Sequence, residues 1–350
     1  MLGTRSTITI TAATAATITR ASDVGDLSVG KPTNVGLNGS GSTTSPRQKT
    51  LKSSIHCSGI GLHSGEKISM SLHPADIDTG IVFRRADLRG QQAEIAAHFG
   101  NVSDTRLCTS LSNDAGTTIA TVEHLMAALA GCEIDNAVIE VAGPEVPIMD
   151  GSSEPFVFLI ECAGVEEQAA SRRTIQILKP KVAHIGEAVT KLEPADVFSI
   201  ELSIEYDNPV IGQQTKTVAM CADTFKSEIC RARTFGFLED VEAMRKAGLA
   251  HGGSLDNAVV VSGDKVLNDG GLRYDDEFVR HKILDSLGDL YLAGGPIIGR
   301  FSGHRAGHQI NNKLLRALFA DTSAWTYVTG DDVPLPESSR WAEAPAVAVA

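Results

Sequence analysis

No two of the six cysteines (Cys57, Cys108, Cys132, Cys162, Cys221 and Cys230) are spaced as CxxC. That spacing gives no basis for a disulfide framework or a cysteine-based zinc site, so a reducing compartment, the cytoplasm, fits best. Basic residues are also scarce: 31 Lys and Arg against 43 Asp and Glu leave a formal charge of -12. A nucleic-acid partner would need a basic stripe, and none is visible. A small phosphorylated ligand needs only a few local cations and stays open. No apolar run approaches the roughly 18–20 residues that span a bilayer. A secretory core is missing too, because Thr7, Thr9, Thr11 and Thr14 interrupt the only candidate stretch.

What is present is ordinary globular material, 42% hydrophobic and 21% charged over 350 residues, enough for two domains. Residues 1–47 stand apart: Thr, Ser, Ala and Gly dominate without apolar periodicity, which reads as a disordered extension. The stretch up to Arg20 contains Arg, is rich in Ser and Thr and lacks acids, a composition shared with organellar import peptides. Strand-like runs follow at Lys67–Leu72 and Asp78–Arg85. A helix is expected over Thr118–Ala130, where Val122, Leu125, Met126 and Leu129 form one apolar face. A short strand, Asn136–Val141, leads to a helix capped by Ser153 with Pro155 in its first turn, ending near Gly164. Val165–Arg173 reads as a linker. Strands near Thr174–Ile177, Phe198–Tyr206 and Asn257–Val261, a long helix at Asp276–Ala293 and a last helix at Asn312–Ala320 then repeat the scheme. The pattern predicts an α+β fold of two similarly built domains, 48–170 and 171–322, followed by a tail at 323–350.

Three constellations offer chemistry. His281, Asp285 and Asp289 lie at i, i+4 and i+8, on one side of the long helix. A His and a carboxylate one turn apart can offer two metal ligands, although the same spacing also fits a solvated face. Glu123 and His124 sit beside the core face of their helix, where burial is costly unless something pairs with them. Coordination by His124, with Glu123 facing a bound water, supplies a reason, although the order is not that of an HExxH motif; an exposed flank or a salt bridge is the alternative. His304 and His308 fall in a Gly-rich loop before the last helix, well placed for acid–base work or simply at the surface.

The segments TTIATVEHLMAALAG, EVPIMDGSSEPFVFLI, CRARTFGF, DEFVRHKILDSLGDL and AGHQINNKLL, in this order over 48–321, closely resemble the UDP-3-O-acyl-N-acetylglucosamine deacetylases of lipid A synthesis. The resemblance implies two domains of helices layered on β-sheets, with the active site at their interface. It implies zinc on His124, His281 and Asp285, Glu123 as general base and His308, rather than His304, as the catalytic histidine. It further implies Asp289 orienting His308, Thr234 stabilising an oxyanion, and Lys282 beside the site. For the UDP-linked acylated glucosamine it implies Tyr206 stacked on uracil, with Phe235 also at the substrate, and Lys282 and Arg305 near the diphosphate. Leu238, Val241, Ser254, Ala258 and Val260 would line an acyl passage, or else pack as core. His63 matches a histidine near the site, and Cys108 a cysteine close to the zinc without a chemical role.

Two other functions compete. A zinc peptidase or general amidohydrolase would need neither ARTFGF nor Tyr206. A non-catalytic nucleotide-sugar-binding protein would tolerate loss of at least one of Glu123, His124, His281, Asp285 and His308, yet all five are intact.

Overall fold

The computed structural model describes residues 46–329. All but the last two residues of the expected N-terminal extension, and the tail beyond 329, lie outside the described residues. The first half opens on the strand Arg47–Leu51 and builds a five-stranded sheet from Ile55–Ile60, Lys67–Pro74, Ile81–Arg85, Glu94–Ala96 and Ala137–Ala142. The last of these inserts at the centre. It pairs antiparallel with Lys67–Pro74 and parallel with Ile81–Arg85. Between the fourth and fifth strands come an insert of three short strands and helix α1 (Glu123–Gly131); after the fifth comes α2 (Glu154–Ala163).

The second half repeats this plan strand for strand. Its sheet is built from Lys181–Ile185, Ala188–Glu193, Ser199–Glu205, Gln213–Ala219 and Arg300–His304, again with the fifth strand central and a single parallel pair, now with Ser199–Glu205. A short turn of helix, α3 (Ala222–Thr224), follows the fourth strand. The second insert comes next: the parallel strands Phe235–Phe237 and Val259–Ser262 with α4 (Leu238–Lys246) between them, then the antiparallel Lys265–Val266. Helices α5 (Glu277–Tyr291) and α6 (His308–Phe319) occupy the places of α1 and α2. Both inserts therefore enter at the same point of the repeated topology.

Two segments differ from the sequence reading for one shared reason. Val165–Ser171, expected as linker, pairs antiparallel with Arg47–Leu51; Trp325–Thr329, expected in the tail, pairs antiparallel with Arg173–Ile177. Each half is closed by its last strand pairing with its first. Neither closing strand has a buried residue, so backbone pairing rather than an apolar period defines them. Helix α1 also begins later than expected. Thr118–Ile119 is a strand, and Thr121 takes φ 58°, a left-handed conformation that cannot continue into a helix. Ser153 precedes α2 but makes no cap; its hydroxyl donates to the His124 carbonyl at 2.7 Å.

Helices α1 and α5 pack directly on each other, one from each half. All of α1 except Ala130 is buried, as is nearly all of α5, so both are enclosed by the rest of the molecule. The crossing is tight: a Cβ on Gly288 would stand 2.0 Å from the Glu123 carbonyl oxygen. Only a residue without a side chain lets the two backbones approach this closely. Gly288→Ala is predicted to lower stability by at least about 2 kcal/mol in urea unfolding. Gly270→Ala, whose Cβ meets open space, is the control and should change it by less than about 1 kcal/mol.

Candidate active site

The crossing of α1 and α5 sets the geometry. His124 is the second residue of α1, while His281, Asp285 and Asp289 share one side of α5 at successive turns. All four are buried, as is Glu123. The solvated-face reading of α5 and the exposed-flank reading of α1 are thereby excluded. His281 Nε2 lies 3.3 Å from Asp285 Oδ1, and His124 Nε2 lies 3.5 Å from the same oxygen. Ligands of a tetrahedrally held divalent ion at bond lengths of about 2.0–2.2 Å sit roughly 3.3–3.5 Å apart, so both distances fit shared coordination, and the three ligand atoms all lie within 4.8 Å of one another.

The surroundings fix the orientation of each group. His281 Nδ1 donates to the Ala232 carbonyl at 3.0 Å. A carbonyl can only accept, so Nδ1 carries the hydrogen and Nε2 presents a lone pair. Burial pulls the His281 pKa down to about 4, which keeps the ring neutral. Burial opposes ionisation of Asp285, but the positive charge and hydrogen bonds around it, the Lys282 ammonium among them, outweigh it and hold the carboxyl well below its usual range. Lys282 Nζ donates to Asp285 Oδ2 at 2.8 Å, leaving Oδ1 to the two histidines. Ala232 is itself anchored through its neighbour: Arg233 forms a buried pair with Glu277, the first residue of α5, at 2.8 Å.

A second pair of groups faces the same centre. Glu123 accepts the Thr109 N–H on Oε2 at 3.0 Å, while its Oε1 lies 4.0 Å from His308 Nε2. That gap is too long for a direct hydrogen bond. Burial raises the Glu123 pKa, which suits a carboxylate that must accept a proton. His308 Nδ1 donates to Asp289 Oδ2 at 2.9 Å. Burial alone would lower the His308 pKa, but the Asp289 carboxylate outweighs it and pushes it up to about 9, so the ring is cationic at neutral pH. Asp289 is held in turn by Asn311 Nδ2 at 2.9 Å and the Thr109 hydroxyl at 2.6 Å.

His308 and His304 are not loop residues, contrary to the sequence reading. His308 is the first residue of α6, which starts four residues before the expected Asn312 because Gly307 is extended and opens the helix. His304 ends the central strand of the second sheet, its Nδ1 paired with Ser203 Oγ at 2.8 Å and its side chain 40% exposed. One histidine faces the centre and the other the surface.

The remaining expected residues are spread over several elements. Thr234 is fastened between the halves, its N–H donating to Gly151 O at 2.8 Å and its carbonyl accepting from Val259 N–H at 2.7 Å. Tyr206 stands edge-on to Phe235 at 5.7 Å, and Phe235 edge-on to His281 at 6.2 Å, so the aromatics lead directly to the buried histidine. Phe237, which the sequence did not single out, completes this group 6.0 Å from Tyr206. Arg305 sits at φ 50° and pairs with Glu187 and Glu205. In the second insert Val259 and Val261 join the core, whereas Val260, on the opposite side of the strand, does not. Leu238 and Val241 lie on α4, which has no buried residue, and Ala258 is half-buried outside the core. Core packing is thus excluded for Leu238, Val241 and Ala258, whereas Val260 is itself buried, outside the main core cluster. Ser254 is exposed and serves a turn, accepting the Asp256 N–H on its hydroxyl. His63 keeps both ring nitrogens buried without a partner among the described residues; its loop is bound to the insert, His251 N–H donating to His63 O at 3.2 Å. Burial pushes the Cys108 thiol up to about 12, so it is no thiolate.

This arrangement can hold a divalent metal between two histidines and an aspartate and set a carboxylate and a cationic imidazole to either side. Comparison with known proteins identifies the family. The family profile described as UDP-3-O-acyl N-acetylglycosamine deacetylase matches residues 48–320. The UDP-3-O-acyl-N-acetylglucosamine deacetylase of Acidithiobacillus ferrooxidans is 55% identical over 284 residues, 81% of this chain and 93% of that protein. Those of Marinobacter nauticus and Pseudomonas entomophila are 51% and 50% identical, each over 82% of this chain and 94% of the relative. With such identity across nearly the whole described chain, this protein belongs to the UDP-3-O-acyl-N-acetylglucosamine deacetylase family.

Proposed function

We propose that the chain hydrolyses the acetamide of a UDP-3-O-acyl-N-acetylglucosamine, releasing acetate and the free amine, as a step of lipid A synthesis. The observation that carries this is the convergence of His124, His281 and Asp285 with Glu123 and His308 on one buried centre, in a chain of this family. Zinc is the metal assigned to the site, because two imidazoles and one carboxylate form the donor set of a hydrolytic zinc centre. When bound it supplies Lewis-acid polarisation and a nucleophile available near neutral pH.

The chain's own groups then divide the proton work. Glu123 Oε1 takes a proton from the water that adds to the acetyl carbon, since Oε2 is already engaged by the Thr109 N–H. Thr234 donates to the developing oxyanion. His308, cationic through Asp289, delivers a proton from Nε2 to the leaving nitrogen as the C–N bond breaks. Lys282 balances the charge of Asp285 and faces the substrate beside Tyr206. Tyr206 and Phe235 hold the uracil end and Arg305 the diphosphate. Leu238, Val241, Ser254, Ala258 and Val260 line the acyl passage, with His63 at its rim. The cytoplasm is the compartment this reading assigns, supported by six free cysteines.

Chelator-treated protein should lose acetate release, and about one equivalent of zinc should restore it; undiminished turnover without metal would overturn the assignment. His281→Ala should reduce metal content as well as activity. His308→Ala should lower kcat by roughly 100-fold or more, whereas His304→Ala should stay within about twofold of the parent. Equal losses would mean that the wrong histidine has been assigned. Assays on a generic peptide and on acetamide separate this activity from a broad amidohydrolase, which would turn over all three substrates.

A further inference from the structure

Thr109 stands just before the short strand Ser110–Ser112, in the insert of the first half, and is 1% exposed. Each of its polar groups is committed to the catalytic frame. Its N–H donates to Glu123 Oε2 at 3.0 Å and its hydroxyl to Asp289 Oδ1 at 2.6 Å. Its carbonyl accepts from the N–H of Val122, the residue that opens α1, at 3.2 Å. Glu123 lies 14 residues away along the chain and Asp289 lies 180 away, on helices from opposite halves of the molecule. One buried residue thus joins, by its backbone N–H, the carboxylate that faces the water and, by its side-chain hydroxyl, the carboxylate that holds the histidine.

We propose that Thr109 is a positioning residue that sets the geometry of Glu123 and His308 together, through one hydrogen bond to Glu123 and one to Asp289. The inference rests on the acid–base roles assigned above. Glu123 can turn about its terminal bond, and the Thr109 N–H selects the rotamer that leaves Oε1 free. Asp289 can likewise turn. The Thr109 hydroxyl locks Oδ1, so Oδ2 stays in line with His308 Nδ1 and the opposite ring nitrogen points into the cleft. Burial keeps Thr109 away from substrate, so it acts only through its two partners.

The test is steady-state kinetics of zinc-loaded full-length protein on the UDP-linked substrate. Thr109→Val, similar in shape but without the hydroxyl, should lower kcat at least about tenfold with KM within about twofold and zinc content unchanged. Thr109→Ser, which keeps the hydroxyl, should retain at least about half of kcat. In an Asp289→Ala background, Thr109→Val should have no further effect, because its target is gone. The proposal is overturned by full kcat in Thr109→Val, by Thr109→Ser as impaired as Thr109→Val, by lost zinc, or by an equal loss in both backgrounds. Should Thr109→Val fail to fold, Thr109→Ala is judged by the same criteria. Glu123→Ala and His308→Ala are measured alongside. Their loss of activity beside an unaffected Thr109→Val rejects the bridge alone, and their full activity rejects the acid–base reading itself.

Discussion

Everything at the centre of this molecule depends on how closely two helices cross. His124 comes from α1, and His281 and Asp285 come from α5, so no metal site exists until the helices meet. The contact is closest at Gly288, against the backbone of Glu123, one residue before the histidine it must align. A glycine between Asp285 and Asp289 on α5 therefore sets the distance between the two sets of ligands. Because each helix holds the same place in a repeated topology, the site lies where the two halves of one plan face each other.

Burial makes this arrangement both costly and reactive. Three carboxylates, Glu123, Asp285 and Asp289, are buried together with Lys282 and a cationic His308 close by. Such groups are tolerated only when each has partners, and their hydrogen bonds account for most of them. A divalent cation at the two histidines and Asp285 would more than offset the single negative charge that remains. Burial and local partners drive the groups apart in acidity: burial keeps His281 neutral and makes Glu123 more basic, while the Asp289 carboxylate overrides burial and keeps His308 charged. Environments that separate similar side chains in this way assign them to different roles.

The inserts divide the remaining work. The first supplies Thr109 and Cys108; the second supplies Thr234, Phe235, Phe237 and an exposed helix, while Tyr206 comes just after the sheet strand Ser199–Glu205. Backbone hydrogen bonds from His251 and Gly252 to the loop of His63 join the second insert to the first half. The seam between the halves is thus bridged here, as it is at the candidate metal site.

The sequence by itself determined the apolar faces of α1 and α5, the i, i+4, i+8 row of His281, Asp285 and Asp289, the strand–helix order of both halves and the motifs of the family. These are local periodicities, written in side chains whose spacing matches a helix or a strand. The closing strands Val165–Ser171 and Trp325–Thr329 were illegible because exposed edge strands carry no such period; their partners at the start of each half define them. Which of His304 and His308 faces the buried centre, the hydrogen bonds of Thr109 and Asn311, and the tautomer of His281 were decided only in the tertiary structure. Each depends on groups far apart along the chain being brought within hydrogen-bond reach, and no local pattern encodes a distance between remote residues.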